Sequence, residues 1–168
     1  INMLYPETPV HRMADDVLER MIASYMATEQ PVYSFGWQGG EPSLMGLEFF
    51  KKVVSLQKKY GKPGIPIANG FQTNTTLIND ELAALFSQYN FLVGVSLDGP
   101  EEIHNHYRKK AGGKGTHEDV LRGIECLRRN KVEFNILTLV NSKNVKRGKE
   151  VYQYLKDMDI RYHLYIPC

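Results

Sequence analysis

A chain of 168 residues is the size of one ordinary domain, and its 42% apolar and 24% charged content is enough to build a core. A formal net charge of +2, with no basic stripe interleaved with aromatics, argues against a nucleic-acid surface. The purely apolar runs are only a few residues long, so we expect no membrane span and no secretory leader. The two cysteines, Cys126 and Cys168, fit a reducing cytoplasm better than a disulfide framework.

In chain order, Met13 to Glu29 carries Val17, Leu18, Met21, Ile22, Tyr25 and Met26 at helical spacing. Asp15 and Asp16 fall in its first turn, where the helix dipole favours negative charge. Val32 to Trp37 reads as a strand, and Ser43 opens a second helix whose buried face includes Leu47, Phe50 and Val54. Ile65 to Thr73 is the next strand, with Pro66 marking an irregular start, and Asp80 to Tyr89 the next helix. Phe91 to Leu97, "FLVGVSL", has the near-continuous apolar character of a central buried strand. A long polar stretch over 99–115 reads as a mobile loop, because it is rich in glycine and lysine and lacks a core anchor. A helix from Thr116 to Asn130, a strand from Val132 to Val140, a helix from Asn144 to Met158 and a strand from Ile160 to Ile166 complete the chain. Strands alternating with helices through short links predict an α/β fold of parallel strands joined by right-handed crossovers. With a helix first and a strand last, a partial barrel fits better than a finished doubly wound sheet.

In such folds ligands gather at the C-terminal ends of the strands, and that is where the unusual residues fall. "QGGEP" (Gln38 to Pro42) follows the first strand, "QTNTT" (Gln72 to Thr76) the second, and "SLDGP" (Ser96 to Pro100) the third, with Arg108 a little beyond. Each has a plainer reading: "GGEP" as a turn with Pro42 opening a helix, Asp98-Gly99-Pro100 as turn chemistry, Gln72 and Asn74 as partners for strand-end amides, Arg108 as a solvated loop charge. Five histidines, among them His104 and His117, need no ligand role. Position on one rim gives the clusters a common meaning. Gly39 and Gly40 allow close backbone approach, Glu41 can accept hydrogen bonds from an ammonium group, Arg108 can pair with a carboxylate, and Ser96 can hold a ribose hydroxyl. Together they describe an amino-acid-bearing nucleoside, and S-adenosylmethionine fits that description.

The stretches "WQGGEPSLMGLEFFKKVVSLQKKY", "QTNTTLIND", "NFLVGVSLDGPEEIHNHYR", "VEFNILTLVNSKN" and "YHLYIPC" resemble the radical S-adenosylmethionine enzymes, and within them the anaerobic sulfatase-maturating enzymes. The resemblance runs through nearly all 168 residues and implies a radical SAM core domain over 1–168, truncated at both ends. The implied fold is a partial (β/α)6 TIM-like barrel lacking its first strand and cluster loop. It places Gly39, Gly40 and Glu41 at the methionine amino group, Ser96 at the ribose and Arg108 near the methionine carboxylate. Gln38, Gln72, Asn74 and Asp98 resemble positions on the rim facing cofactor or substrate.

The implied cofactors are S-adenosylmethionine and a 4Fe–4S cluster held by a CxxxCxxC loop, and the implied partners are a sulfatase peptide and an electron donor. In that family the cluster reductively cleaves the cofactor, and the radical so formed removes a hydrogen from the Cβ of a sulfatase cysteine or serine on the way to formylglycine. CxxxCxxC does not occur in these residues, so we expect the catalytic residues and cluster ligands outside them and the fragment alone to be inactive. Thr75 stands where the resemblance leads one to expect glycine. Modification of another peptide, a cluster-less S-adenosylmethionine-binding module, and an unrelated barrel using "GGEP" as a turn remain as alternatives.

Overall fold

The computed structural model describes residues 12–168. Residues 1–11 of the expected core domain lie outside them. The described elements are α1 (Asp15–Ala27), β1 (Tyr33–Trp37), a 3-10 turn (Pro42–Met45), α2 (Leu47–Tyr60), β2 (Ile67–Thr73), α3 (Asp80–Gln88), β3 (Phe91–Ser96), α4 (Glu101–Tyr107), α5 (His117–Arg129), β4 (Phe134–Val140), α6 (Gly148–Asp157) and β5 (His163–Pro167). The five strands form one sheet in sequential order, and every adjacent pair is parallel. The result is an α/β partial barrel, a curled arc of parallel strands.

Alternation along the strands separates two faces. Tyr33, Phe35, Phe71, Phe91, Val93, Val95 and Ile136 point one way and are buried among the helices. There Phe50 of α2 meets Phe71 with ring centroids 5.1 Å apart, and Phe86 of α3 lies 4.6 Å from Phe71 and 4.7 Å from Phe91. These aromatics fix the helices to the sheet, each burying a large apolar area. The opposite face carries Ser34, Gly36, Ala68, Gly70, Gln72, Gly94 and Ser96 on β1 to β3 and is open or half-exposed over most of its extent.

Three expectations shift. The second helix does not start at Ser43, because Pro42–Met45 forms a 3-10 turn and the α-helix begins only after Gly46. The stretch 99–115 contains α4, seated on the buried Ile103 and His104, and closes with an antiparallel bridge between Lys109 and Gly115. The last helix starts at Gly148 rather than Asn144, because Asn144 is recruited to the preceding loop: its Oδ1 accepts from the Asn141 N–H at 2.8 Å.

Candidate functional site

The C-terminal ends of the strands carry two carboxylate-centred clusters joined by a bridge. In the first, β1 runs into Gln38, Gly39 and Gly40, all exposed. Gly39 and Gly40 hold φ of 107° and 58°, a left-handed region that side chains avoid, and a Cβ at Gly39 would meet nothing within 4 Å. Among the described residues, no donor bonds their carbonyls. Glu41, half-buried, turns back into the protein. Its Oε1 accepts from the Ser43 N–H at 3.1 Å, the Ser43 hydroxyl at 2.6 Å and the Thr73 hydroxyl at 2.6 Å, while Oε2 accepts from the Asn74 N–H at 2.8 Å. The carboxylate therefore ties the β1 loop to the end of β2, and Oε2 retains acceptor capacity. Asn74 closes its own turn, its Oδ1 accepting from the Thr76 N–H at 3.0 Å.

The bridge is Gln72, whose Nε2 donates to the Ser96 hydroxyl at 3.2 Å, β2 to β3. Gly94 makes room for it, since a Cβ there would stand 2.6 Å from Gln72 Oε1 and 2.6 Å from Leu137 Cδ1.

The second cluster surrounds Asp98, whose side chain is 2% exposed. The Arg108 guanidinium grips it through two bonds, Nε to Oδ2 at 2.6 Å and Nη2 to Oδ1 at 3.1 Å. The Leu139 N–H on β4 donates to Oδ1 at 3.0 Å, and Asn144 Nδ2 donates to the Asp98 carbonyl at 3.2 Å. Thr138, buried on β4, donates to the Leu97 carbonyl at 2.8 Å. Arg108 remains 27% exposed, with its Nη1 left for another acceptor.

Each residue singled out in the sequence therefore lies on the rim, grouped as Gln38, Gly39, Gly40, Glu41 and Asn74, then Gln72 with Ser96, then Asp98 with Arg108. The plainer readings hold in part: Glu41 and Asp98 do brace turns, and Asn74 does satisfy local amides. Sequence reasoning missed Thr73, Ser43, His104 and Thr116. Thr73 lies within "QTNTT" and Ser43 directly follows "QGGEP", which is the one signal that points to them.

Beyond the rim, the described residues contain no group of three His, Cys, Asp or Glu side chains able to hold a metal. Cys126 is buried in α5, where desolvation pushes its thiol up, and Cys168 is exposed at the end of β5. Among the described residues, no helix is long and apolar enough to cross a membrane.

Comparison with known proteins agrees with this architecture. The cysteine-type anaerobic sulfatase-maturating enzyme of Clostridium perfringens is 44% identical over 156 residues, covering 93% of this chain and 42% of the relative. The serine-type enzyme of Bacteroides thetaiotaomicron is 41% identical over 165 residues, covering 98% and 40%. The solved structure described as native anSMEcpe with bound AdoMet and Kp18Cys peptide superposes with a TM-score of 0.90 at 44% identity, over 93% of this chain and 43% of that one. The chain thus spans about two fifths of the length of the curated relatives it matches. Residues 5–155, most of the chain, match the Radical SAM superfamily, and it is to this superfamily that the chain belongs.

Proposed function

We propose that the full protein is a radical S-adenosylmethionine oxidoreductase that converts a cysteine or serine of a sulfatase to formylglycine, and that this chain supplies the cofactor-binding rim. The observation that carries the cofactor assignment is the pairing of opposite characters on one rim. Among the described residues, the Glu41 carboxylate is bonded by neutral donors alone and adjoins two glycines whose carbonyls no donor bonds, while the Arg108 cluster offers guanidinium N–H groups. An α-amino acid needs both. The residues fit S-adenosylmethionine: the carbonyls of Gly39 and Gly40 with Glu41 Oε2 would take its ammonium, Arg108 its carboxylate, and Ser96 with Gln72 a ribose hydroxyl. Gln38, Asn74 and Asp98 border that space, with Asp98 acting through Arg108.

When bound, S-adenosylmethionine supplies the radical that abstracts a hydrogen atom from the substrate. The chain's own residues orient it. Arg108 cannot swing away from the rim while Asp98 holds its fork, and Glu41 keeps the glycine loop against β2. These residues do not fit a 4Fe–4S cluster, because two cysteines cannot furnish three thiolates. The sulfatase assignment is supported by the two relatives, one described as cysteine-type and one as serine-type, and by the peptide in the solved structure.

The test is anaerobic reconstitution of the full-length protein with iron and sulfide, followed by mass analysis of sulfatase peptides carrying cysteine or serine at the target position. We expect a product of formylglycine mass that reacts with a hydrazide. A peptide left unchanged while the cofactor is consumed would reject the sulfatase assignment and leave the superfamily chemistry in place.

A further inference from the structure

We propose that His104 is the positioning residue for Arg108: its imidazole closes a ring of hydrogen bonds that fixes the arginine at both its main chain and its guanidinium. This rests on the reading of Arg108 as a cofactor ligand and adds a residue that the reading does not contain. His104 is fully buried on α4, so it touches neither cofactor nor substrate.

Its contacts define its chemistry. The Asp98 N–H donates to His104 Nδ1 at 3.3 Å. Since an amide N–H can only donate, Nδ1 is the acceptor and the ring proton sits on Nε2. That Nε2–H faces the Thr116 hydroxyl at 3.1 Å, and Thr116 Oγ1 in turn donates to the Arg108 carbonyl at 3.1 Å. The Arg108 N–H returns to the His104 carbonyl at 3.0 Å. The circuit therefore runs from the Arg108 guanidinium to the Asp98 carboxylate, through the Asp98 amide to the ring, and through Thr116 back to Arg108. Neither end of the arginine moves without breaking a hydrogen bond of this circuit.

The circuit needs a neutral ring. A second proton would leave two donors, Nδ1–H and the Asp98 N–H, pointing at each other, and would set a cation beside Arg108. Burial and the neighbouring guanidinium hold the His104 pKa down at about 4, with Asp98 opposing and His117 of α5 adding to the depression.

A double-mutant cycle on the intact, cluster-loaded protein tests this, read as the dissociation constant for S-adenosylmethionine by calorimetry rather than as turnover. Arg108→Lys leaves a cation for Asp98 but removes the fork. We expect it to weaken binding about tenfold, as the loss of one charge-assisted bond does. His104→Leu should also cost about tenfold alone, and nothing further on the Arg108→Lys background. If His104→Leu fails to fold, Thr116→Val, which cuts the same circuit one atom later, takes its place with the same expected pattern. Unchanged affinity in Arg108→Lys would reject Arg108 as a ligand. A weakened Arg108→Lys beside a His104→Leu that binds normally, or that loses equally in both backgrounds, would overturn the role of His104 and leave that of Arg108 standing.

Discussion

The two carboxylates of the rim do the same mechanical work with opposite electrical consequences. Glu41 and Asp98 each tie the loop after one strand to the next strand, Glu41 to the end of β2 and Asp98 to β4. Among the described residues, the donors bonded to Glu41 are hydroxyls and amides, all neutral, so none of them matches its charge. Asp98 is matched by a guanidinium, so the pair is near neutral and its spare N–H groups suit an incoming anion. Two copies of one device, differing in whether a cation is built in, thus give one rim a negative end and a near-neutral end that presents N–H donors.

Removing the paired carboxylate should have the largest effect. Asp98→Ala strands a partly buried arginine and the Leu139 N–H. We expect about 3 kcal/mol of lost stability, the low end for breaking a buried pair because Arg108 keeps some solvent. The midpoint of urea unfolding measures it. A loss under 1 kcal/mol would mean that the β3–β4 rim is held by Thr138 and Asn144 instead.

Acid should attack the same end selectively. The His104 pKa falls from 6.5 to about 4 on folding, so the unfolded chain binds the extra proton first. Stability is therefore complete above pH 6.5 and drains away as pH drops toward 4, by up to about 3 kcal/mol from this ring. His117, whose pKa burial also lowers, adds to the loss in the same direction. Unfolding measured at pH 7.5 and pH 5 should show a clear fall in the parent and a smaller one in His104→Gln. Equal falls would assign the acid sensitivity elsewhere.

The neutral-donor end should yield less. Glu41→Gln keeps the shape but turns one acceptor oxygen into an NH2 facing the donors that Glu41 satisfied, for an expected loss of about 2 kcal/mol. If the uncompensated charge is what meets the cofactor's ammonium, affinity for S-adenosylmethionine should fall about tenfold as well. Loss of stability with unchanged affinity would make Glu41 a brace alone and leave the ammonium to the glycine carbonyls.

How much of this the sequence disclosed follows from range and length. Apolar runs such as "FLVGVSL" declare a buried strand by themselves, and the polar residues after them mark the rim, so the parallel fold and the rim positions were legible. The working state of Glu41 was not, because Thr73 and Asn74 reach it from 32 and 33 residues away. The seven-residue α4 reads as loop in the sequence because so short a helix presents only two buried positions, and one of them is His104, which composition counts as polar. That same misreading hid the circuit around Arg108. The false start of α6 has a similar origin: Asn144 reads as helix entry, yet its side chain serves the Asp98 carbonyl.

The smallest prediction concerns the turn beneath Glu41. Thr75 sits at φ 59° with its side chain buried and its hydroxyl without a partner among the described residues, where the family resemblance favours glycine. Its N–H donates at 2.9 Å to the Thr73 hydroxyl that holds Glu41, so any backbone strain there feeds directly into the neutral-donor cluster. A β-branched residue in this region costs roughly 1–3 kcal/mol, of which the freer unfolded chain of a glycine variant returns about 0.5–1 kcal/mol. Thr75→Gly should therefore stabilise the fold by roughly 1 kcal/mol, seen as a higher urea midpoint at unchanged slope. A lower midpoint would mean that the contact with Gly123 on α5, where an added Cβ would lie 2.9 Å from the Thr75 Cβ, outweighs the strain. The first cluster would then be rigid because of Thr75, and its negative end would owe its position to packing as much as to hydrogen bonds.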